Sequence, residues 1–169
     1  MSNRSPLFVR DIMTRKVAVL YVEHNLALAE WGMQELRFRH LPVVEGNKLV
    51  GLVSERDLLR ASVSTLNSDH NLLDDNLKRN FFVAEVMTTE IVSVRPDATL
   101  VEAAKLLRDR KFGCLPVTEE DGTLVGILTQ SDLVGLVAQL LQEQEPDRMS
   151  GTHAIGPPPS PPLRHANAK

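Results

Sequence analysis

Twice along the chain a hydroxyl stands three residues ahead of an aspartate, just after a glycine: Gly51-Leu52-Val53-Ser54-Glu55-Arg56-Asp57 and Gly126-Ile127-Leu128-Thr129-Gln130-Ser131-Asp132. Each string lies where an apolar run of strand type passes into one of helical type. The plainer chemistry is a helix cap, with Ser54 or Thr129 accepting from the first turn and Asp57 or Asp132, at the third helical position, favouring the positive helix end. The sharper chemistry uses the same geometry. A helix N-terminus offers unpaired N–H groups and partial positive charge to a phosphate, to which a Ser or Thr hydroxyl can also donate. A carboxylate repels a phosphate, so Asp57 and Asp132 suit such a site only when aimed at donors, and the vicinal hydroxyls of ribose are the obvious ones. The pattern therefore fits a ribonucleotide better than a bare phosphate, and it remains compatible with simple capping.

Other reactive residue types offer little. The histidines His24, His40, His70, His153 and His165 show no metal-ligand spacing, and no phosphate-binding loop, nucleophile elbow or thiol with an evident base is present. The chain is read as a non-enzyme that needs neither metal nor cofactor. Its one cysteine, Cys114, excludes an intramolecular disulfide and reads as a small buried hydrophobe. Gly51 and Gly126 let the backbone approach a ligand or a neighbour, or mark a bulge. Pro42 and Pro116 interrupt hydrogen bonding beside a strand, which leaves either an edge or a gap able to read a base.

These residues are positioned by a duplication. Shifting the sequence by 74 positions lays Met13-Thr14 on Met87-Thr88, Phe38 on Phe112 and Leu41-Pro42-Val43 on Leu115-Pro116-Val117. After one extra residue in the next turn the offset becomes 75, laying Leu49-Val50-Gly51 on Leu124-Val125-Gly126 and Asp57-Leu58 on Asp132-Leu133. Each copy reads β-α-β-β-α. A β-branched strand (Val17 to Tyr21, Ile91 to Val94) precedes a helix with an apolar stripe: Leu26, Ala29, Met33 and Leu36 in one, Leu100, Ala103, Ala104 and Leu107 in the other. A hairpin follows, turning at Gly-Asn or Asp-Gly, and then a helix beginning at Ser54 or Thr129. In the last helix Leu133, Leu136, Val137, Leu140 and Leu141 form the stripe. Neither copy is large enough to bury much surface alone, so the two are expected to pack together. The division is a 1–7 extension, copies at 8–66 and 81–145, a linker at 67–80, and a tail at 146–169.

Composition agrees. Across 169 residues the net charge is -3, so there is no basic field for nucleic acid or an anionic membrane surface. Hydrophobic residues make up 43% and aromatics 4%, which implies an aliphatic core. The N-terminus lacks the apolar run of a signal peptide and no stretch has the length of a membrane span, so a cytoplasmic location is expected. The tail, with prolines at 157, 158, 159, 161 and 162, is expected to be disordered.

With Asp11-Ile12-Met13-Thr14 and Glu85-Val86-Met87-Thr88 opening the copies, Leu-Pro-Val in the middle and Gly-x-x-Ser/Thr-x-x-Asp at the end, residues 8–142 resemble a tandem cystathionine β-synthase (CBS) domain pair, or Bateman module. The resemblance implies an α+β fold of two pseudo-symmetric repeats packed through their sheets. It also implies an adenosine ligand (AMP, ADP, ATP, S-adenosylmethionine or NAD) in the cleft between them, homodimers, and sensing in place of catalysis. Carried over by residue, Asp57 and Asp132 bind ribose and Ser54 and Thr129 bind phosphate. Lys16, Val17, Thr89, Ile91, His40, Pro42, Cys114 and Pro116 line the base pocket. Arg15, Lys16 and Arg56 are expected to make the first copy the stronger phosphate site. Two rivals stand beside this reading: a ligand-free oligomerisation scaffold, and an accessory subunit of a separate enzyme or transporter.

Overall fold

The computed structural model describes residues 6–65 and 79–144. The crossover between the copies, apart from Arg79 and Asn80, and the Pro-rich tail lie outside the described residues.

The first copy runs β1 (Leu20–Tyr21), α2 (Leu26–Leu36), β2 (His40–Glu45), β3 (Lys48–Ser54) and α3 (Glu55–Thr65), after a short α1 (Val9–Ile12). The second has α4 (Leu100–Asp109), β4 (Cys114–Thr118), β5 (Leu124–Thr129) and α5 (Gln130–Gln144), after a 3-10 turn at Val83–Glu85. Local chemistry explains the boundaries. The side chain of Asn25 caps α2 by accepting from the Leu28 N–H at 2.9 Å, and Thr99 and Glu102 close a reciprocal capping box on α4. Each hairpin turns on a glycine that the turn requires at positive φ, Gly46 at 62° and Gly122 at 82°.

The opening strands are shorter than their β-branched residues suggest. The first keeps only Leu20 and Tyr21, parallel to Val43 and Val44. The second reduces to a single parallel bridge from Val94 to Val117. The apolar stripes are likewise narrower than the periodicity predicts. Leu26, Ala29 and Met33 are buried on α2 while Leu36 is exposed; on α5, Val137 and Leu141 are exposed at 54% and 58%.

The two copies exchange their opening segments. Residues 8–14 dock on the second copy: the Val9 N–H donates to the Ala98 carbonyl at 2.9 Å, and Thr14 and Ile127 exchange N–H···O bonds of 2.9 Å each. The equivalent segment, 82–88, docks on the first copy. The Val83 N–H donates to the His24 carbonyl at 2.7 Å, and Thr88 and Leu52 exchange bonds of 2.9 and 3.0 Å. Both cores depend on this exchange. Val9 and Met13 are buried with Leu100, Ala103, Leu115 and Leu128, and Val83 is buried with Leu26, Ala29, Leu41 and Val53. Complete burial of a valine contributes about 1.5–3 kcal/mol.

The repeated glycines answer to the same exchange. A Cβ on Gly126 would lie 2.7 Å from Met13 Sδ, and one on Gly51 would strike Met87, reaching its Cγ at 2.9 Å. Each glycine thus makes room for the opening methionine of the other copy. The sheets also meet at their hairpin turns, where Leu49 N–H donates to the Gly122 carbonyl at 3.1 Å and Leu124 N–H to the Asn47 carbonyl at 2.9 Å. The Lys48 ammonium reaches Asp121 and, at 2.9 Å, the Thr123 hydroxyl.

Candidate functional site

At the end of the hairpins away from that clasp lies an open cleft of about 880 Å³, walled by both copies. Its first-copy wall is the end of β3 and the start of α3, with Ser54, Arg56 and Asp57, and the start of β2, with His40. Facing them are Thr88, Glu90, Ile91 and Val92, brought in by the exchanged segment. The second copy adds Lys111, Phe112, Gly113, Cys114 and Gln130. Six residues singled out from sequence therefore meet here: His40, Ser54, Arg56, Asp57, Ile91 and Cys114.

The others are placed elsewhere. Pro42 and Pro116 are fully buried within their strands, register with Leu52 and Ile127, and do not line the cleft. Thr89 is exposed beside the lining residues without joining them. Thr129 and Asp132 form the corresponding strand-to-helix corner of the second copy. Lys16 and Val17 do not line the cleft; they follow directly on Thr14, which bridges to Ile127 of the second copy. The expectation that Arg15 and Lys16 strengthen the first copy's site is therefore corrected: the exchange carries them to the second copy's sheet, and the Arg15 guanidinium there donates to the Arg10 carbonyl at 2.9 Å. Arg56 stays where expected.

Both corners are capped alike. One oxygen of Asp57 accepts from the Ser54 N–H at 2.8 Å and from its hydroxyl at 2.6 Å. Asp132 does the same for Thr129, at 2.7 Å for each bond. The aspartate half of the capping reading holds at both corners, and at the second Thr129 also accepts from the Asp132 N–H at 3.3 Å; this capping changes the chemistry left for a ligand. With its proton on the aspartate, the Ser54 hydroxyl has none to give a phosphate. The other Asp57 oxygen meets Arg60 only at 4.0 Å, so it retains capacity to accept from hydroxyl donors. The Glu55 N–H donates to the Arg39 carbonyl at 3.0 Å, which leaves the Arg56 and Asp57 N–H groups of the first turn turned to the cleft end of α3.

His40 crosses from one copy to the other. A Cβ on Gly113 would overlap its imidazole, lying 2.8 Å from Nε2, so the ring rests directly on that backbone. Burial holds the His40 pKa below the ordinary 6.5; Asp57 and Glu55 oppose the shift, while Arg39 and Arg56 reinforce it. Burial also pushes the Cys114 thiol up to about 12, which keeps it protonated near neutral pH. Among the described residues no group of three side chains is placed to hold a metal ion, and no helix is long and apolar enough to cross a membrane.

Sequence reasoning missed Arg39, Arg60, Lys111, Thr88 and Val92 as wall residues. A signal existed for Thr88, which ends the repeated Met-Thr pair. Nothing local marks Lys111, which reaches this wall only because the copies pack face to face.

The CBS domain family model matches residues 9–64 and 83–139. A CBS domain-containing protein of Dictyostelium discoideum is 30% identical over 143 residues, covering 83% of this chain and 97% of its own length. The AcuB crystal structure from Vibrio cholerae superimposes with a TM-score of 0.72 at 39% identity, over 85% of this chain and 99% of that one. CBSX2 from Arabidopsis thaliana, crystallised in complex with AMP, gives 0.67 at 33% identity, over 80% and 98%.

Proposed function

Because the chain belongs to the CBS domain family, carrying two tandem copies of the domain, we propose that it is a non-catalytic regulatory module. It binds an adenosine nucleotide (AMP, ADP or ATP) in the cleft between its repeats and passes occupancy to a partner. The observation that carries this reading is the composite wall: a capped strand-to-helix corner with Asp57 beside it, completed by residues 88–92 and 111–114 from elsewhere in the chain. A ligand seated there touches both copies and the exchanged segment together, so its binding energy bears on how they sit. The AMP held by CBSX2, a relative sharing 33% identity, supports the ligand class.

Asp57 is assigned to the ribose hydroxyls through its uncommitted oxygen, and the start of α3 to phosphate; Asp132 and the start of α5 take the equivalent roles at the second corner. The protein is proposed to form a homodimer in the cytoplasm. Support for the dimer comes from the apolar face left by Val101 on α4 and Val134, Val137 and Leu141 on α5, all more than half exposed. The regulated partner is an enzyme or a transporter.

A thermal-shift panel of AMP, ADP, ATP, S-adenosylmethionine and NAD tests the reading, repeated on Asp57→Ala and Asp132→Ala. A ligand present at about 100 times its Kd stabilises by about 2.7 kcal/mol. Binding that survives both substitutions overturns the ribose assignment. The scaffold alternative draws on one observation, that both aspartates are already engaged as caps; it stands if no adenosine ligand shifts the wild type at millimolar concentration.

A further inference from the structure

The cleft holds more positive charge than the capped corner explains. Four cationic side chains line it: Arg39, Arg56 and Arg60 from the first copy and Lys111 from the second. Arg60 pairs loosely with Asp57 at 4.0 Å. Arg39, Arg56 and Lys111 have no carboxylate within ion-pair distance among the described residues, although Glu55 and Glu90 share the same walls.

The duplication supplies an internal control. At an offset of 74 Arg39 corresponds to Gly113, and at 75 Arg56 corresponds to Ser131. The second copy builds the same strand and helix without either cation, so folding does not require them. Lys111 does have a basic counterpart, Arg37, and both end their helices at positive φ, 56° and 55°. Lys111 nevertheless lines the cleft and Arg37 does not. Because the Ser54 proton is committed to Asp57, phosphate oxygens must be met by these side chains and the N–H groups of α3. The cleft, at about 880 Å³, has room for more than a monophosphate.

We infer that the first-copy cleft selects a nucleotide carrying a di- or triphosphate over a monophosphate, with Arg39 and Lys111 reading the added phosphates from opposite copies. The inference rests on the nucleotide reading above and deepens it. Each added phosphate brings negative charge and further acceptor oxygens, and charge-assisted bonds from Arg and Lys are the strong ones available. The same wall disfavours a cationic adenosine derivative. A polyphosphate chain spanning Arg39 and Lys111 also links the two copies directly, which gives occupancy a route to their relative position.

Isothermal titration of the full chain with AMP, ADP and ATP in EDTA, at low and at high salt, tests this. At low salt ATP is expected to bind about tenfold tighter than AMP, with ADP between, and the ratio shrinks as salt screens the wall. In Arg39→Gln/Lys111→Gln the ratio of ATP to AMP affinity is expected to fall to about threefold or less, whatever change AMP affinity itself shows; Lys111→Arg preserves the ratio. Equal affinity of AMP and ATP in the wild type, or a ratio that survives the double substitution, overturns the polyphosphate assignment and leaves nucleotide binding intact. Absence of binding by all three overturns both. Both substituted side chains are exposed, and circular dichroism verifies that the variants fold.

Discussion

Gly51→Ala tests the exchange of opening segments directly. The added Cβ meets Met87 along successive atoms, Sδ, Cγ at 2.9 Å and Cβ at 3.2 Å, so rotating the methionine tip does not relieve it. Overpacking of this kind costs about 1–3 kcal/mol, partly offset by the roughly 0.5–1 kcal/mol that alanine gains over glycine in a strand. A net loss of about 0.5–2 kcal/mol is expected, read by urea unfolding monitored by circular dichroism. The decisive measurement is a double-mutant cycle. Truncating the clashing partner in Gly51→Ala/Met87→Ala is expected to recover about 1 kcal/mol relative to the sum of the single changes, whereas Gly51→Ala/Met13→Ala is expected to be additive. Gly126→Ala shows the converse, coupling to Met13, whose Sδ lies 2.7 Å from the added Cβ, and not to Met87. If Gly51 couples to Met13 and Gly126 to Met87, each segment docks on its own copy. The composite wall of the cleft is then wrong with it.

Three further outcomes follow from the same geometry. Thr129→Val removes the hydroxyl that donates to Asp132 and accepts from its N–H at 3.3 Å; a loss of about 0.5–2 kcal/mol is expected in denaturant titration. His40 has a folded-state pKa below 6.5, so the folded protein favours the neutral ring. That contribution is complete above pH 6.5 and is lost as pH falls from 6.5 through the folded-state value, and His40→Gln is expected to flatten this part of the stability profile. Cys114 is 4% exposed with its thiol pushed up to about 12, so a thiol reagent at pH 8 is expected to label the unfolded chain promptly and the native chain only at the rate of opening; fast native labelling contradicts the packing.

Much of the fold was legible because local chemistry repeats wherever the chain does. Ser54 and Thr129 begin their helices as the hydroxyl-x-x-acid strings predict, since capping involves only residues three apart. The α2 and α4 stripes bury Leu26, Ala29, Leu100 and Ala103 because helical period alone selects a face. Legibility failed where a residue's partner is remote. The run Ile91 to Val94 has strand composition but finds a neighbour only at Val94, against Val117. Val137 and Leu141 extend a correct stripe beyond what this chain covers. Composition selects Arg15 and Lys16 as cations near a Met-Thr pair, yet it contains nothing about which sheet that pair will join.

The β-α-β-β-α order and the capped corners follow from residue types at short spacing, and the duplication and the family resemblance from the recurrence of those strings at offsets of 74 and 75. Tertiary structure decided which copy receives each opening segment, and hence which residues share the cleft. The reason is a degeneracy in the pattern itself. Met13-Thr14 and Met87-Thr88 present the same side chains and backbone, and Gly51 and Gly126 offer the same space. Docking within a copy and docking across copies therefore read identically along the chain. In the folded molecule the choice is made by where Val9 and Val83 are buried, in the core of the opposite copy.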